Sequence, residues 1–282
     1  MVRARISILI AALLWSTGGA AIKLSGLSGW QLAAGRSLVA ACVLFGVVRQ
    51  ARALPSWRIL RVGVAYAATV ILFVLANKLT TAANAIFIQD SAPLWVVLLS
   101  PWLLRERPSR GELWAMPLFF GGLALFFVDE LGPGQLQGNV LALLSGFSFA
   151  FSILGLRQLG EDGPRALVWG NVTAAVICAP FAVGGPVPTV LDLALVLFLG
   201  VFQLGLSYWL FTWGLLRVRA VEASLLVLLE PVLNPMWAFL LTRERPGPWA
   251  LAGGGVILLA TAWRTLSPSA PPPVAREAGA ER

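Results

Sequence analysis

A chain of 282 residues that is 58% hydrophobic and only 12% charged lacks the polar surface that a soluble protein of this length needs, since soluble domains carry roughly 25% charged residues. The composition excludes a soluble domain and predicts an integral membrane protein. The net charge of +8 does not signal nucleic acid, because the basic residues fall between apolar runs and form no single basic face.

Apolar runs able to cross ~30 Å of hydrocarbon fall at 6–24, 29–48, 59–78, 82–104, 111–129, 136–157, 164–183, 190–215, 219–241 and 248–264. The start, "MVRARISILI", has the basic-then-apolar pattern of a secretory signal. The run nevertheless continues to Ile22 and Lys23, and an even count of crossings needs it, so it is read as the first span. Trp15 lies deep in that span, and Lys23 closes it within snorkelling reach of headgroups. Cys42 in the second span and Cys178 in the seventh have no metal-ligand spacing and read as inert buried thiols.

Arg36 sits about eight residues into the second span. On the third, Tyr66, Thr69, Phe73 and Asn77 recur at i, i+3, i+7 and i+11, which places them on one helix face. The fourth span contains "IFIQDSAPLW". An ionised Asp90 at mid-membrane costs roughly 2.5–3.5 kcal/mol on insertion scales. Pro93, lacking an N–H, leaves the carbonyl of Gln89 without its helical donor. Ser145, Ser148 and Ser152 form a stripe on the sixth span, Asn171 lies in the seventh, and Gln203, Ser207 and Tyr208 lie in the eighth. The ninth opens with Glu222 and carries Glu230, Asn234 and Trp237. The remaining tail, 265–282, is Pro- and Ala-rich and reads as disordered.

With ten spans, 16 of the 21 basic residues fall in loops on one side and four on the other, with Arg36 inside a span. The positive-inside rule then puts both termini in the cytoplasm. The chain also repeats itself. "TTAANAIFIQDSAPLWVVLLSPWLLRERP" from Thr80 aligns without gaps with "VRAVEASLLVLLEPVLNPMWAFLLTRERP" from Val218. Ala82, Ala85 and Pro93 recur as Ala220, Ala223 and Pro231, and Arg105-Glu106-Arg107-Pro108 returns as Arg243-Glu244-Arg245-Pro246. "ALLWSTGGA" from Ala12 resembles "ALLSGFSFA" from Ala142, and Gly121-Gly122 has a counterpart in Gly253-Gly254-Gly255, glycines that suit helix packing. Five spans per copy is an odd number, so the copies are expected to cross in opposite directions, as in many secondary transporters. The expected fold is all-α integral membrane, ten transmembrane helices as two inverted five-helix repeats, 1–130 and 136–264, around a central cavity.

Across nearly its whole length the chain resembles the drug/metabolite transporter superfamily, specifically its EamA-like two-repeat members. The carriers of the resemblance are "LLWSTGGAAIK", Arg36, "AANAIFIQDSAPLW", "EASLLVLLEPV", Glu106 and Glu244. Where family members often carry Gly-Glu, this chain has Arg105-Glu106 and Arg243-Glu244. The resemblance implies ten helices, cytoplasmic termini, a central cavity, and export or exchange of small organic metabolites.

Polar side chains inside a span usually face the bundle or a wet cavity. Asp90 and Glu230 flank the paired prolines near mid-membrane. Two carboxylates meeting there would resist joint ionisation, which suits a coupling proton or a cationic amine. Arg36 is expected to pair with Asp90 or to grip a substrate carboxylate. The candidate substrate-binding residues are Trp15, Arg36, Tyr66, Asn77, Gln89, Asp90, Ser148, Asn171, Gln203, Tyr208, Glu230 and Asn234. No cofactor, metal or nucleic acid is expected. The expected partners are a small-molecule substrate, the bilayer and a coupling proton, with monomer and homodimer equally open. The leading expectation is an inner-membrane exporter of amino acids or related compounds working by alternating access. Rival readings are a lipid-linked-sugar flippase, a multidrug efflux carrier and, least consistent with a chain lacking histidine, a membrane enzyme. No G-x-x-x-x-G-K loop offers direct drive by ATP.

Overall fold

The structure, a computed structural model, describes residues 2–128, 136–233, 237 and 247–266. Those residues form helices and turns and no strand. The first half holds α1 (Val2–Ser16), α2 (Gly18–Leu24), α3 (Gly29–Val47), α4 (Trp57–Leu79), α5 (Ala82–Gln89), α6 (Ala92–Leu103) and α7 (Arg110–Phe127). The second holds α8 (Leu136–Leu159), α9 (Gly163–Ala182), α10 (Val190–Phe198), a π-helical stretch (Leu199–Leu206), α11 (Ser207–Leu215), α12 (Ala220–Leu226) and α13 (Pro248–Leu266). Residues 229–233 are also helical. Among the described residues six stretches are long and apolar enough to cross a membrane, one of them Leu136–Ala182, in which α8 and α9 are joined by a short 3-10 turn; Leu251–Trp263 is a shorter apolar helix.

Helix starts follow their caps. Ser28 with Gln31, Ser109 with Glu112, and Thr189 with Asp192 form reciprocal capping boxes, and Ser56 and Thr81 each accept from the third residue onward. Each arrangement satisfies backbone N–H groups that a helix start leaves orphaned. Interruptions have equally local causes. Between α1 and α2, Ser16 and Thr17 turn their hydroxyls back onto the carbonyls of Leu13 and Leu14, a bond that bends helices. Between α5 and α6 the chain turns at Asp90 and Ser91, and Pro93 opens the next helix, where its missing N–H does no harm.

The halves interleave. α4 lies against α8 and α9, α3 against α9, and α1 against α11, while α7 packs on α13. The packing role predicted for these glycines is seen at Gly122 and Gly253, whereas a Cβ on Gly121 or Gly255 would meet nothing within 4 Å. A Cβ on Gly122 would meet the carbonyl oxygen of Gly253 at 3.1 Å and Ile257 Cγ1 at 2.9 Å, so the glycine lets two helices touch. Cys178 is buried as expected, but Cys42 is exposed on the outside of the bundle. Its place in an apolar run marked depth in the membrane and not which way the side chain turns.

The two ends of the bundle are tied differently. At the end where α1 begins, Arg5 Nε meets Glu222 Oε1 at 2.7 Å, Arg157 meets Glu106 at 3.2 Å, and Arg219 lies 3.7 Å from Glu112. Each pair joins the first half to the second. Glu222, which opens the ninth predicted span, is wholly buried there. At the other end Asp192 Oδ1 accepts from Ser25 Oγ and Gly26 N, both at 2.8 Å, and Thr80 Oγ1 bonds Asn139 Oδ1 at 2.8 Å.

Candidate functional site

The interrupted helices bring their breaks to one place. A small cavity of about 30 Å³ is lined by Trp15 of α1, Arg36 of α3, Thr69, Val70 and Phe73 of α4, Gln89 and Asp90 at the α5–α6 turn, Phe149 of α8, Gln203 and Leu204 of the π-helical stretch, Tyr208 of α11, and Glu230. Seven of the twelve candidates predicted from the sequence therefore share one cavity wall.

Arg36 is its most unusual member. The side chain is only 1% exposed, yet among the described residues no carboxylate pairs with it. Its Nη1 donates to Gln203 Oε1 at 3.0 Å and its Nη2 to the carbonyl of Val70 at 2.7 Å, while Nε has no partner. The expected bond to Asp90 is not made, because both Nη groups are turned to neutral oxygens. Asp90 is 7% exposed, and its Oδ2 is likewise without a partner. Asp90 and Glu230 line the same cavity, each within the other's field. The site thus holds one cationic and two acidic side chains, none paired with another.

Neighbouring elements fix the α5–α6 turn. Gln89 Nε2 donates to Ser145 Oγ at 3.0 Å, and that hydroxyl donates to the carbonyl of Thr69 at 2.9 Å. α8 presses on the turn so closely that a Cβ on Gly146 would lie 2.7 Å from the carbonyl oxygen of Gln89, the one Pro93 leaves without a helical donor.

An aromatic layer closes one side. The ring of Trp15 lies 4.7 Å from Tyr208 and 5.7 Å from Phe149, and Tyr66 stands edge-on to Tyr208 at 4.7 Å. Among the described residues Trp15 Nε1 has no hydrogen-bond partner. Four predicted candidates do not line the cavity. Tyr66 and Asn171 stand behind it, with Asn171 Nδ2 donating to the Tyr66 hydroxyl at 3.0 Å. Asn77 is turned onto its own helix, bonding the carbonyl of Phe73 at 2.9 Å. Ser148 is half-buried, and its carbonyl accepts from Ser152 Oγ at 2.9 Å. Asn234 lies outside the described residues. Trp237 reaches the α1–α2 break, donating to Ser16 Oγ at 2.9 Å. Phe149, Leu204 and the carbonyl of Val70 escaped the sequence reading, since nothing distinguishes them from other apolar positions. No group of His, Cys, Asp or Glu suited to a metal ion occurs among the described residues.

The EamA-like transporter family matches this chain twice, over residues 3–128 and 136–265. A biotin transporter of Escherichia coli (strain K12) is 23% identical over 65% of this chain, and the match spans 64% of that protein's length. An uncharacterized transporter of Archaeoglobus fulgidus is 29% identical over 70% of this chain and 72% of its own length. The uncharacterized transporter YwfM of Bacillus subtilis (strain 168) is 27% identical over 89% and 90%. A solved structure described as "Crystal structure of protein" superposes with a TM-score of 0.77 at 20% identity, covering 92% of this chain and 95% of that one. The chain therefore belongs to the EamA-like transporter family.

Proposed function

We propose that this transporter carries small zwitterionic metabolites, amino acids or close relatives, outward across the inner membrane by alternating access. Ten helices in two inverted sets of five, with both termini cytoplasmic, would form the frame. The observation that carries the reading is Arg36, buried, cationic and without a carboxylate partner among the described residues, beside Asp90 and Glu230. A guanidinium in that state suits bidentate capture of a carboxylate. The two acids suit an ammonium or a coupling proton, and Trp15, Phe149 and Tyr208 suit an organic side chain. A cavity of about 30 Å³ holds no metabolite, so loading requires the halves to part. Breaks in helices at mid-membrane are where such carriers bind.

A carboxylic acid without an amine is the second reading, favoured by the relative named as a biotin transporter. Asp90 and Glu230 would then serve protons alone. One experiment tests both. The purified protein is screened by thermal shift against amino acids, amines and biotin, and hits are repeated as flux in proteoliposomes. In the first reading Arg36→Lys loses the shift for every hit, and Asp90→Asn and Glu230→Gln lose it for amino acids. In the second, only amine-free acids register. Folded protein with no shift and no flux beyond empty liposomes rejects both.

A further inference from the structure

At the end where the three ion pairs lie, a cleft of about 510 Å³ opens between the halves, lined by Pro101, Arg105, Glu106, Arg107 and Arg219. Glu106, the one carboxylate among the described lining residues, is already engaged. Glu106 Oε1 takes Arg157 Nε at 3.2 Å, and Oε2 takes the backbone N–H of Ala220 at 3.4 Å. Arg219 is anchored on the carbonyl of Arg107 at 2.9 Å and near Glu112. Arg105 and Arg107 are exposed and make no side-chain hydrogen bond or ion pair with another described residue. The cleft therefore presents cationic charge, on Arg105 and Arg107, that no described residue neutralises.

The backbone singles out Arg105. It follows the end of α6 with φ of 56°, the left-handed conformation that helix ends reserve for glycine, and it is the one non-glycine residue of positive φ among those described. A side chain there carries a steric cost of order 1 kcal/mol, so an arginine kept at this turn points to use of the guanidinium. Its depth identifies the ligand. Arg105 stands two residues beyond a helix apolar enough to span the membrane, Asn84–Leu103. Trp102 beside it is 84% exposed, and Trp114, near the start of the next helix, 73%. Exposed tryptophans at a helix end mark the headgroup level.

We propose that this cleft binds the phosphate of an anionic phospholipid, held by Arg105 and Arg107 from the first half and Arg219 from the second. Phosphate suits arginine's fork, and basic pockets between membrane helices recognise such headgroups. A lipid seated here bridges the two halves on the side already closed by Arg157 and Glu106. This inference is independent of what the central cavity carries.

The test uses the full chain in a neutral maltoside detergent. Phosphatidylglycerol, phosphatidylcholine or inorganic phosphate is added, with melting temperature and native mass spectrometry as readouts. The wild type is expected to retain phosphatidylglycerol and melt higher with it, and to respond to neither phosphatidylcholine nor millimolar phosphate. Arg105→Gln with Arg107→Gln should lower retention at least fivefold. Arg58→Gln with Arg61→Gln, exposed at the start of α4 and outside the cleft, should not. Arg105→Gly keeps the left-handed turn, so it should hold or raise the lipid-free melting temperature while losing lipid. Equal retention by the Arg105/Arg107 variant, or equal loss in the Arg58/Arg61 variant, overturns the site. A response to inorganic phosphate that the Arg105/Arg107 variant abolishes overturns the lipid as its ligand.

Discussion

An arginine at 1% exposure ordinarily lies against a carboxylate, because an uncompensated buried charge costs several kcal/mol. Arg36 rests instead on Gln203 and the carbonyl of Val70. Replacing it with methionine removes the buried charge, a gain, and leaves Gln203 Oε1 without its donor, at about 1–3 kcal/mol, while the carbonyl of Val70 keeps its helical donor within α4. These effects oppose one another, so the stability of Arg36→Met should lie within ~2 kcal/mol of wild type. Transport of carboxylate-bearing substrates should be lost altogether. Chemical denaturation alongside proteoliposome flux checks this, and a collapse of stability would assign Arg36 to the scaffold. Glu222 behaves oppositely. It is fully buried and its Oε1 accepts from Arg5 Nε at 2.7 Å, so Glu222→Gln removes the charge from a buried charge-assisted bond and should cost about 1–3 kcal/mol. A double-mutant cycle with Arg5→Gln should return well under the sum of the single effects.

Among elements, the α5–α6 turn is the most demanding to build, because its exposed carbonyl must be covered by another helix. Gly146 allows that approach. In Gly146→Ala the new methyl would meet a backbone oxygen at 2.7 Å, which cannot swing away as a side chain would. α8 must move off the turn, at about 1–3 kcal/mol. Gln89 should then lose Ser145, and ligand shifts should weaken more than the melting temperature falls. Much of this arrangement could be read in the sequence. Apolar runs located the helices, Pro93 located the break, and Asp90 with Glu230 located the acids. The partner of Arg36 could not be read, because it depends on how α3 and the π-helical stretch are rotated against each other, and Asp90 and Gln203 are equally polar candidates. The π-helical stretch itself, Leu199–Leu206, carries no proline and no polar signal apart from Gln203, so its widened turn was invisible. Of the α4 stripe, Thr69 and Phe73 line the cavity, whereas Tyr66 stands behind it and Asn77 bonds its own helix.

For the whole molecule, the two ends differ in what holds the halves together. One end uses three arginine–glutamate pairs across the halves, and the other relies on hydrogen bonds such as those to Asp192. Alternating access, as proposed, requires the paired end to part as the opposite end closes. Glu106 is the pair member best placed for a test, since it touches both Arg157 and the start of α12. Glu106→Gln removes a charge-assisted bond between side chains about a tenth exposed, and a loss of one or two kcal/mol changes a two-state ratio roughly 5- to 30-fold. In a background with Cys42 and Cys178 replaced, Val218→Cys reports the paired end and Leu27→Cys the other, both positions being buried. Glu106→Gln should raise the labelling rate at position 218 by that factor and lower it at position 27, because opening one end closes the other. Faster labelling at both positions would mean local loosening, and the pairs would then be simple staples with no part in the transport cycle.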